Sequence, residues 1–281
     1  MLGALAINVG LLAAGVAGAL LFGSLALLAD AAHVFTDVGA IAIGLVAARA
    51  ADRAATKRRT FGYGRSEILA ALLNGALLAA VSVLIMIEGI RRLSDPPDID
   101  GTGVLVVGLV GLVGNVVATA LLARGDRDNI NFEAVLRHSA ADALGSLQVV
   151  AAGAIVLATG WLYADPIASL AIGVLILAGS VRLIREPLSV LMESAPQGID
   201  VDELGRAMAR VPGVRNVHDL HVWTVTSGFP ALAAHVRTDP ARDVDAVRQA
   251  IEVVVRERFG IEHTTLQTVA EPLLELEDRR P

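Results

Sequence analysis

The chain has 281 residues, 54% of them hydrophobic, with 23 Lys+Arg against 29 Asp+Glu for a net charge of -6. An acidic balance offers no footprint for nucleic acid, whose phosphate backbone calls for basic surface. There is no cysteine, so disulfides and thiolate ligands are excluded, which weighs against copper(I) and iron–sulfur sites, and a bound metal must use imidazole, carboxylate, carbonyl or water.

Six apolar runs follow one another, each long enough for a helix to cross the hydrocarbon core. They lie at roughly Leu5–Phe22, Leu27–Ala48, Ile68–Ile90, Gly103–Leu122, Val135–Ala158 and Pro166–Leu183. The first lacks the basic leading region of a signal peptide and is read as a retained helix. The second, "LLADAAHVFTDVGAIAIGLV", holds His33 and Asp37, and the fifth, "LRHSAADALGSLQVVAAGAIV", holds His138 and Asp142. The loop "ARAADRAATKRRTFGYGRSE" between the second and third runs is dense in Arg and Lys. The next loop, "SDPPDIDGTG", is acidic, and "ARGDRDNINFE" brings Arg124 and Arg127. Basic loops stay cytoplasmic, so both termini are expected in the cytoplasm. Trp161 and Tyr163 fall where an interfacial aromatic belt sits.

Beyond "LIREPLSVLMESAPQGID" the composition becomes that of a soluble domain. Asp200 and Glu203 resemble a capping box. "VRNVHDLHVWTVTSG" and "ALAAHVRTD" read as two strands meeting near Gly228. Val244, Val247, Ile251, Val254 and Val255 mark one helix face, and "HTTLQTVAE" reads as a last strand. The expected fold is a membrane all-α bundle of six transmembrane helices over residues 1–190. A cytoplasmic α+β domain of order α-β-β-α-β follows over 191–281, one sheet face covered by helices.

Residues four apart on a helix share a face, with Cβ atoms about 6 Å apart. His33 and Asp37 therefore point to one spot and His138 and Asp142 to another. Two such helices packed face to face bring two nitrogens and two oxygens together, a set that suits tetrahedral zinc, with cobalt and cadmium as relatives. Each ionised Asp at a helix centre costs roughly 2.5–3.5 kcal/mol to insert, which argues against two identical pairs as accidents. Asp30 lies on a similar face, near the expected membrane edge, and is read slightly in favour of a helix cap over a receiver of incoming ions. Metal ligation needs neutral His and ionised Asp, so protons and metal compete. A site that faces each side in turn would exchange zinc for H⁺.

"GSLALLADAAHVFTD", "RRTFGYGRSEILAALLNG", "HSAADALGS", "ADPIASL" and "VHDLHVWTVTSGFPALAAHV", in that order, resemble the motifs of the cation diffusion facilitator family, particularly its bacterial zinc/cobalt/cadmium branch. The resemblance implies a multi-pass protein of the inner (plasma) membrane, a homodimer, with a metallochaperone-like cytoplasmic domain and no enzymatic activity. It implies a transport site at His33, Asp37, His138 and Asp142, with Zn²⁺ (or Co²⁺, Cd²⁺) as substrate. Some members hold a further metal in the loop before the third span; Arg59 and Tyr63 stand where its histidines would be. No metal is expected there. Nor does "ARGDRDNINFE" carry the His-rich loop of other members.

In the soluble part, the resemblance sets His218 and His235 at positions of regulatory zinc ligands, with His221 and Asp219 as possible additions. Gln267 stands where relatives carry a last His, which weakens that site; His263, Glu262 and Glu271 are the candidates to compensate. Strand alternation would set Asp219 and His221 on one side and His218 on the other. The resemblance also suggests a charged hinge between the two parts, for which Arg65 or Glu67 with Arg185 or Glu186 are the candidates, while Glu88, Arg91 and Arg92 belong to the opposite end. Two other functions stay open: a membrane zinc sensor signalling through its soluble domain, and an intramembrane zinc hydrolase. A closed two-His, two-Asp site leaves no open position for the second, and no H-E-x-x-H occurs.

Overall fold

The computed structural model describes residues 2–122 and 132–270, with side chains for 8–117, 119–120 and 140–270. Arg124, Arg127 and Glu271 therefore lie outside the described residues. The chain divides into two compact units. Unit 1 comprises Met1–Val46 and Ala70–Ile184, and unit 2 comprises Ala47–Leu69 and Arg185–Pro281.

The first six elements are α1 (Leu2–Phe22), α2 (Leu25–Ala51), α3 (Arg65–Ser94), α4 (Gly101–Leu122), α5 (Phe132–Thr159) and α6 (Ala164–Leu191). Among the residues with described side chains, four stretches are long and apolar enough to cross a membrane: Leu25–Ala51, Arg65–Ser94, Ala140–Thr159 and Ala164–Leu191. The described parts of α1 and α4, Asn8–Phe22 and Gly101–Val117, are apolar as well. This part of the chain is a helical membrane part. Leu20, Leu21, Leu84 and Val113 point outward and stay exposed. Water would penalise that arrangement, and hydrocarbon would not.

Between helices in lipid there is little hydrophobic drive, so close backbone approach through small residues takes its place. The α4–α5 contact follows that rule. A Cβ on Gly153 would sit 2.7 Å from the Leu105 nitrogen, and one on Gly101 2.8 Å from the Leu157 nitrogen. Ala26, Ala29, Val104, Val149 and Ile172 fill the adjoining core.

The start of α2 corrects the reading of Asp30 as a cap. Gly23 turns the chain at φ +72°, and Ser24 and Asp165 do the capping. Asp165, at the start of α6, accepts from the Leu25 N–H at 2.8 Å, the Ala26 N–H at 3.2 Å and the Ser24 hydroxyl. Ser24 Oγ in turn accepts from the Leu27 N–H at 3.1 Å. At the same end, the Arg92 guanidinium donates to the Gly23 carbonyl at 2.7 Å and to Glu88 at 3.2 Å. Arg92 is thus tied to the α1–α2 turn.

Unit 2 contains α7 (Val201–Ala209), β1 (Val214–Thr226), β2 (Phe229–Thr238), α8 (Val244–Phe259) and β3 (His263–Val269). The sheet order is β1-β2-β3, with β1 antiparallel and β3 parallel to the central β2. The parallel pair needs a crossover, and α8 supplies it. Leu204 and Met208 of α7 and Val247, Ile251 and Val255 of α8 bury one face of the sheet against Val222, Leu232 and Val236. Asp200 does cap α7, accepting from the Asp202 and Glu203 N–H groups at 2.9 and 3.0 Å. The Glu203 carboxylate meets Arg258 of α8 at 3.0 Å, so it ties two helices together where a capping box was expected.

Candidate metal centre

His33 and Asp37 occupy successive turns of α2, and His33 Nδ1 lies 4.0 Å from Asp37 Oδ2. Across the bundle, His33 Nε2 lies 3.2 Å from Asp142 Oδ1 on α5. One ligand atom from each of the three residues lies within 4.8 Å of the other two. His138 lies on α5 one turn before Asp142, and its side chain is outside the described residues. The spacing fits the chemistry of the donors. Zinc bonds of about 2.0–2.2 Å imply a tetrahedral edge of about 3.3–3.6 Å, close to the 3.2 Å between His33 Nε2 and Asp142 Oδ1; the 4.0 Å approach of Asp37 is to the other ring nitrogen. The three side chains are 17–19% exposed, which leaves an approach for an ion while removing most of the competing water. Among the described residues, no other group of three His, Asp or Glu side chains comes this close.

Beside the triad lies a polar cluster that sequence patterns did not reveal. Ser146 of α5 donates to Asp30 Oδ2 at 3.3 Å, and Asn115 Nδ2 of α4 donates to Ser146 Oγ at 3.0 Å. Asp30 was visible as an intramembrane acid, but its partners sit on helices far away in the chain.

In unit 2, His218 pairs with His235 in the β1–β2 register, and their rings meet edge to face with centroids 5.5 Å apart. The expected alternation breaks here. A bulge falls between His218 and His221, with Asp219 at φ +53°, a left-handed conformation that Asp tolerates better than most residues. Asp219 Oδ1 then lies 3.0 Å from His221 Nε2, and its Oδ2 lies 3.9 Å from His235 Nδ1. The bulge brings one carboxylate within reach of both histidines, which a regular strand would have separated.

Gln267 pairs with His235 in the β2–β3 register, so it stands beside the histidine pair. His263 does not compensate. It lies four residues earlier in β3, about 13 Å along a strand, and its ring packs edge-on against Phe61 and Phe229 at 6.0 and 5.4 Å. In the loop between α2 and α3, the Arg59 guanidinium lies over the Tyr63 ring at 4.4 Å, a cation–π contact. Arg65 pairs with Glu193 at 3.3 Å and donates to the Val225 carbonyl at 3.3 Å. Glu193 replaces the expected Glu186 as its partner.

The chain matches the cation efflux transmembrane domain over residues 1–192 and the cation efflux protein cytoplasmic domain over residues 196–269. It is 38% identical over 265 residues to the metal cation efflux system protein CzcD of Cupriavidus metallidurans, covering 94% of this chain and 84% of that protein. It is 36% identical to the cadmium, cobalt and zinc/H(+)-K(+) antiporter of Bacillus subtilis over 90% of this chain and 83% of that protein. With the zinc transporter ZitB of Escherichia coli it shares 37% identity over 97% of this chain and 87% of that protein. The metal-bound C-terminal domain of the C. metallidurans CzcD transporter is similar to a quarter of this chain, with 33% identity, 99% of that domain covered and a TM-score of 0.25. The relatives are named as metal transporters, none as an enzyme. A cluster of three side chains able to hold a metal ion and two domain matches that together span nearly all of the sequence lead to one conclusion: the chain is a transporter belonging to the cation efflux, or cation diffusion facilitator, family.

Proposed function

We propose that the protein is a homodimeric zinc exporter of the inner membrane that exchanges Zn²⁺ for protons. The observation that carries this reading is the convergence of His33, Asp37 and Asp142 within 4.8 Å. His138, one turn from Asp142 on α5, is the fourth ligand of a tetrahedral two-His, two-Asp site. Residues 1–190 form the six-span transport domain and residues 191–281 the cytoplasmic dimerisation domain, with both termini in the cytoplasm.

Coupling follows from the ligands themselves. Zinc binds only when the carboxylates are ionised and the imidazoles neutral, so loading metal releases protons and loading protons releases metal. A site open alternately to each side, with the proton-rich side outside, then drives zinc outward. The two occupants share one place, so neither can cross without displacing the other. His218, His221 and His235 form the cytoplasmic regulatory metal site, with Asp219 bridging two of them. Cobalt and cadmium are the second reading for the substrate, because one relative's name includes both alongside zinc.

The test is zinc flux in vesicles reconstituted with the full chain under an imposed pH gradient, repeated with cobalt and cadmium. We expect zinc flux that collapses with the gradient, and its loss in His138→Ala and Asp37→Ala with the dimer intact. Unchanged flux in both variants would remove the quartet from the mechanism. A folded wild-type protein that binds zinc without moving it would favour the sensor.

A further inference from the structure

Asp30 is a carboxylate in a membrane helix that does not belong to the triad. It lies three residues before His33 on α2, and Ser146 lies four residues after Asp142 on α5. The pairs His33–Asp142 and Asp30–Ser146 require the two helices to run antiparallel here. Both steps therefore lead in the same direction, by about 4.5 Å and about 6 Å at 1.5 Å per residue. That direction is toward the end of the bundle where α2 begins, and where the Asp100 N–H meets the Phe22 carbonyl in the α3–α4 connection.

The surroundings of Asp30 are cut to hold its carboxylate. A Cβ on Gly145 would lie 3.1 Å from Asp30 Oδ1, and one on Gly111 would lie 3.8 Å from Oδ2 and 3.4 Å from Ser146 Oγ. Ser146 is fully buried and Asn115 7% exposed. Asp30 and Asn115 both face a cavity of about 10 Å³, close to the room one water molecule needs. The oxygens grouped here are the Asp30 carboxylate and the Ser146 hydroxyl, which the Asn115 amide N–H holds in place. Such a set suits a divalent cation, and it holds zinc less firmly than a set containing imidazole.

Resting on the transport reading above, we propose that the Asp30 carboxylate and the Ser146 hydroxyl, with Asn115 positioning the hydroxyl, form a second cation station, one helical turn from the triad, which the divalent ion occupies between the triad and the α3–α4 end. Conduction needs each stop to be favourable enough to enter and weak enough to leave. An all-oxygen station next to a mixed nitrogen–oxygen site provides that gradation. It also shortens the step that the bare ion takes through an apolar bundle.

The experiment compares zinc-65 flux and equilibrium zinc binding for the reconstituted full chain, Asp30→Asn and Gly145→Ala. We expect Asp30→Asn to cut the maximal flux at least tenfold, with zinc binding at the triad within twofold of wild type and an unchanged melting temperature. Gly145→Ala, whose methyl group crowds Asp30 Oδ1, should cut flux severalfold, and it carries the test if Asp30→Asn does not fold. Asp30→Glu should restore part of the Asp30→Asn loss. Flux within twofold of wild type in a folded Asp30→Asn, or in Gly145→Ala where Asp30→Asn does not fold, overturns the station. Loss of zinc binding together with flux in Asp30→Asn overturns it too, since Asp30 would then belong to the triad. Wild-type vesicles with no flux at all would instead sink the transporter reading, and the station with it.

Discussion

Replacing Asp165 tests how α2, the helix that carries His33 and Asp37, is held. Its carboxylate accepts from two backbone N–H groups and one hydroxyl at the start of α2, and Leu25, Ala26 and Asp165 are no more than 2% exposed. In Asp165→Ala, Ser24 still accepts from the Leu27 N–H, but the Leu25 and Ala26 N–H groups lose their acceptor. Each buried orphan donor costs about 1–3 kcal/mol, so the loss is about 2–6 kcal/mol. That amount is a large share of the stability of an ordinary domain. Asp165→Asn retains one carbonyl oxygen and should lose less, about 1–3 kcal/mol, since charged hydrogen bonds contribute more than neutral ones. The assay is reversible unfolding of the full chain in mixed detergent, followed by helical signal, alongside zinc binding. His33 lies nine residues after the capping Ser24, so weaker zinc binding should accompany the lost stability. Stability of Asp165→Ala within about 0.5 kcal/mol of wild type, the range of an inert surface change, would refute the assignment.

His33→Ala and Asp142→Ala each remove a direct ligand and should weaken zinc binding by more than the roughly 100-fold that outer-shell losses reach, as read by equilibrium zinc-65 binding; a loss under tenfold contradicts the triad. Gln267→His would place a third imidazole beside His235 and should tighten zinc binding at the cytoplasmic site at least tenfold by calorimetry, an effect that His235→Ala abolishes. Arg65→Ala breaks a half-exposed ion pair with Glu193 and should cost at most about 1 kcal/mol; a larger loss in chemical unfolding would mean the pair does more than hold a surface contact. The Asp239 carboxyl is held below its ordinary value, first by the Ala241 N–H and then by Arg215. A depressed carboxyl stabilises above its unfolded pKa and loses that contribution as pH falls through the folded one. The advantage of wild type over Asp239→Asn, present at neutral pH, should therefore vanish on acidification below the ordinary carboxylate range; a difference that does not change with pH would contradict it.

The helices of the membrane part were legible because lipid demands long apolar runs, and the soluble order α-β-β-α-β was legible because its periodicities are clean. The His-x-x-x-Asp pairs were legible too, since helical spacing fixes which side chains share a face. What escaped the sequence was set by distant partners. Nothing local to "GSLALLAD" says that its helix is capped by Asp165, about 140 residues away. Asp219 escaped for a different reason. Alternation assumes an unbroken ladder, and a bulge with one left-handed residue turns that carboxylate toward both His221 and His235. Arg65 was correctly marked as a charge to be paired, but Glu193 lies beyond the segment in which its partner was sought.

The carboxylates along the bundle can be told apart by how fully their lone pairs are used. A charge retained in a membrane helix must be compensated, and the manner of compensation separates structure from function. Asp165 takes three donors from α2 and its cap. With its oxygens committed, it has little capacity for a passing ion, and its work is to fix where α2 begins. Asp30, among the described residues, accepts a single hydrogen bond, from Ser146, and faces a cavity. It keeps acceptor capacity in a place where spare capacity is costly. The carboxylates of Asp37 and Asp142 converge on one imidazole, with one ligand atom from each of the three residues within 4.8 Å of the others. From the start of α2 inward, the acids on it and against it thus pass from saturated, to partly engaged, to converging on a single point. That order is the one expected if the helix is anchored at its start and handles the ion further along. Asp165→Asn and Asp30→Asn make the same isosteric change within two turns of each other on the helix they serve. The first should cost chiefly stability and the second chiefly flux; equal effects of both on both would show that acceptor saturation does not distinguish the two roles.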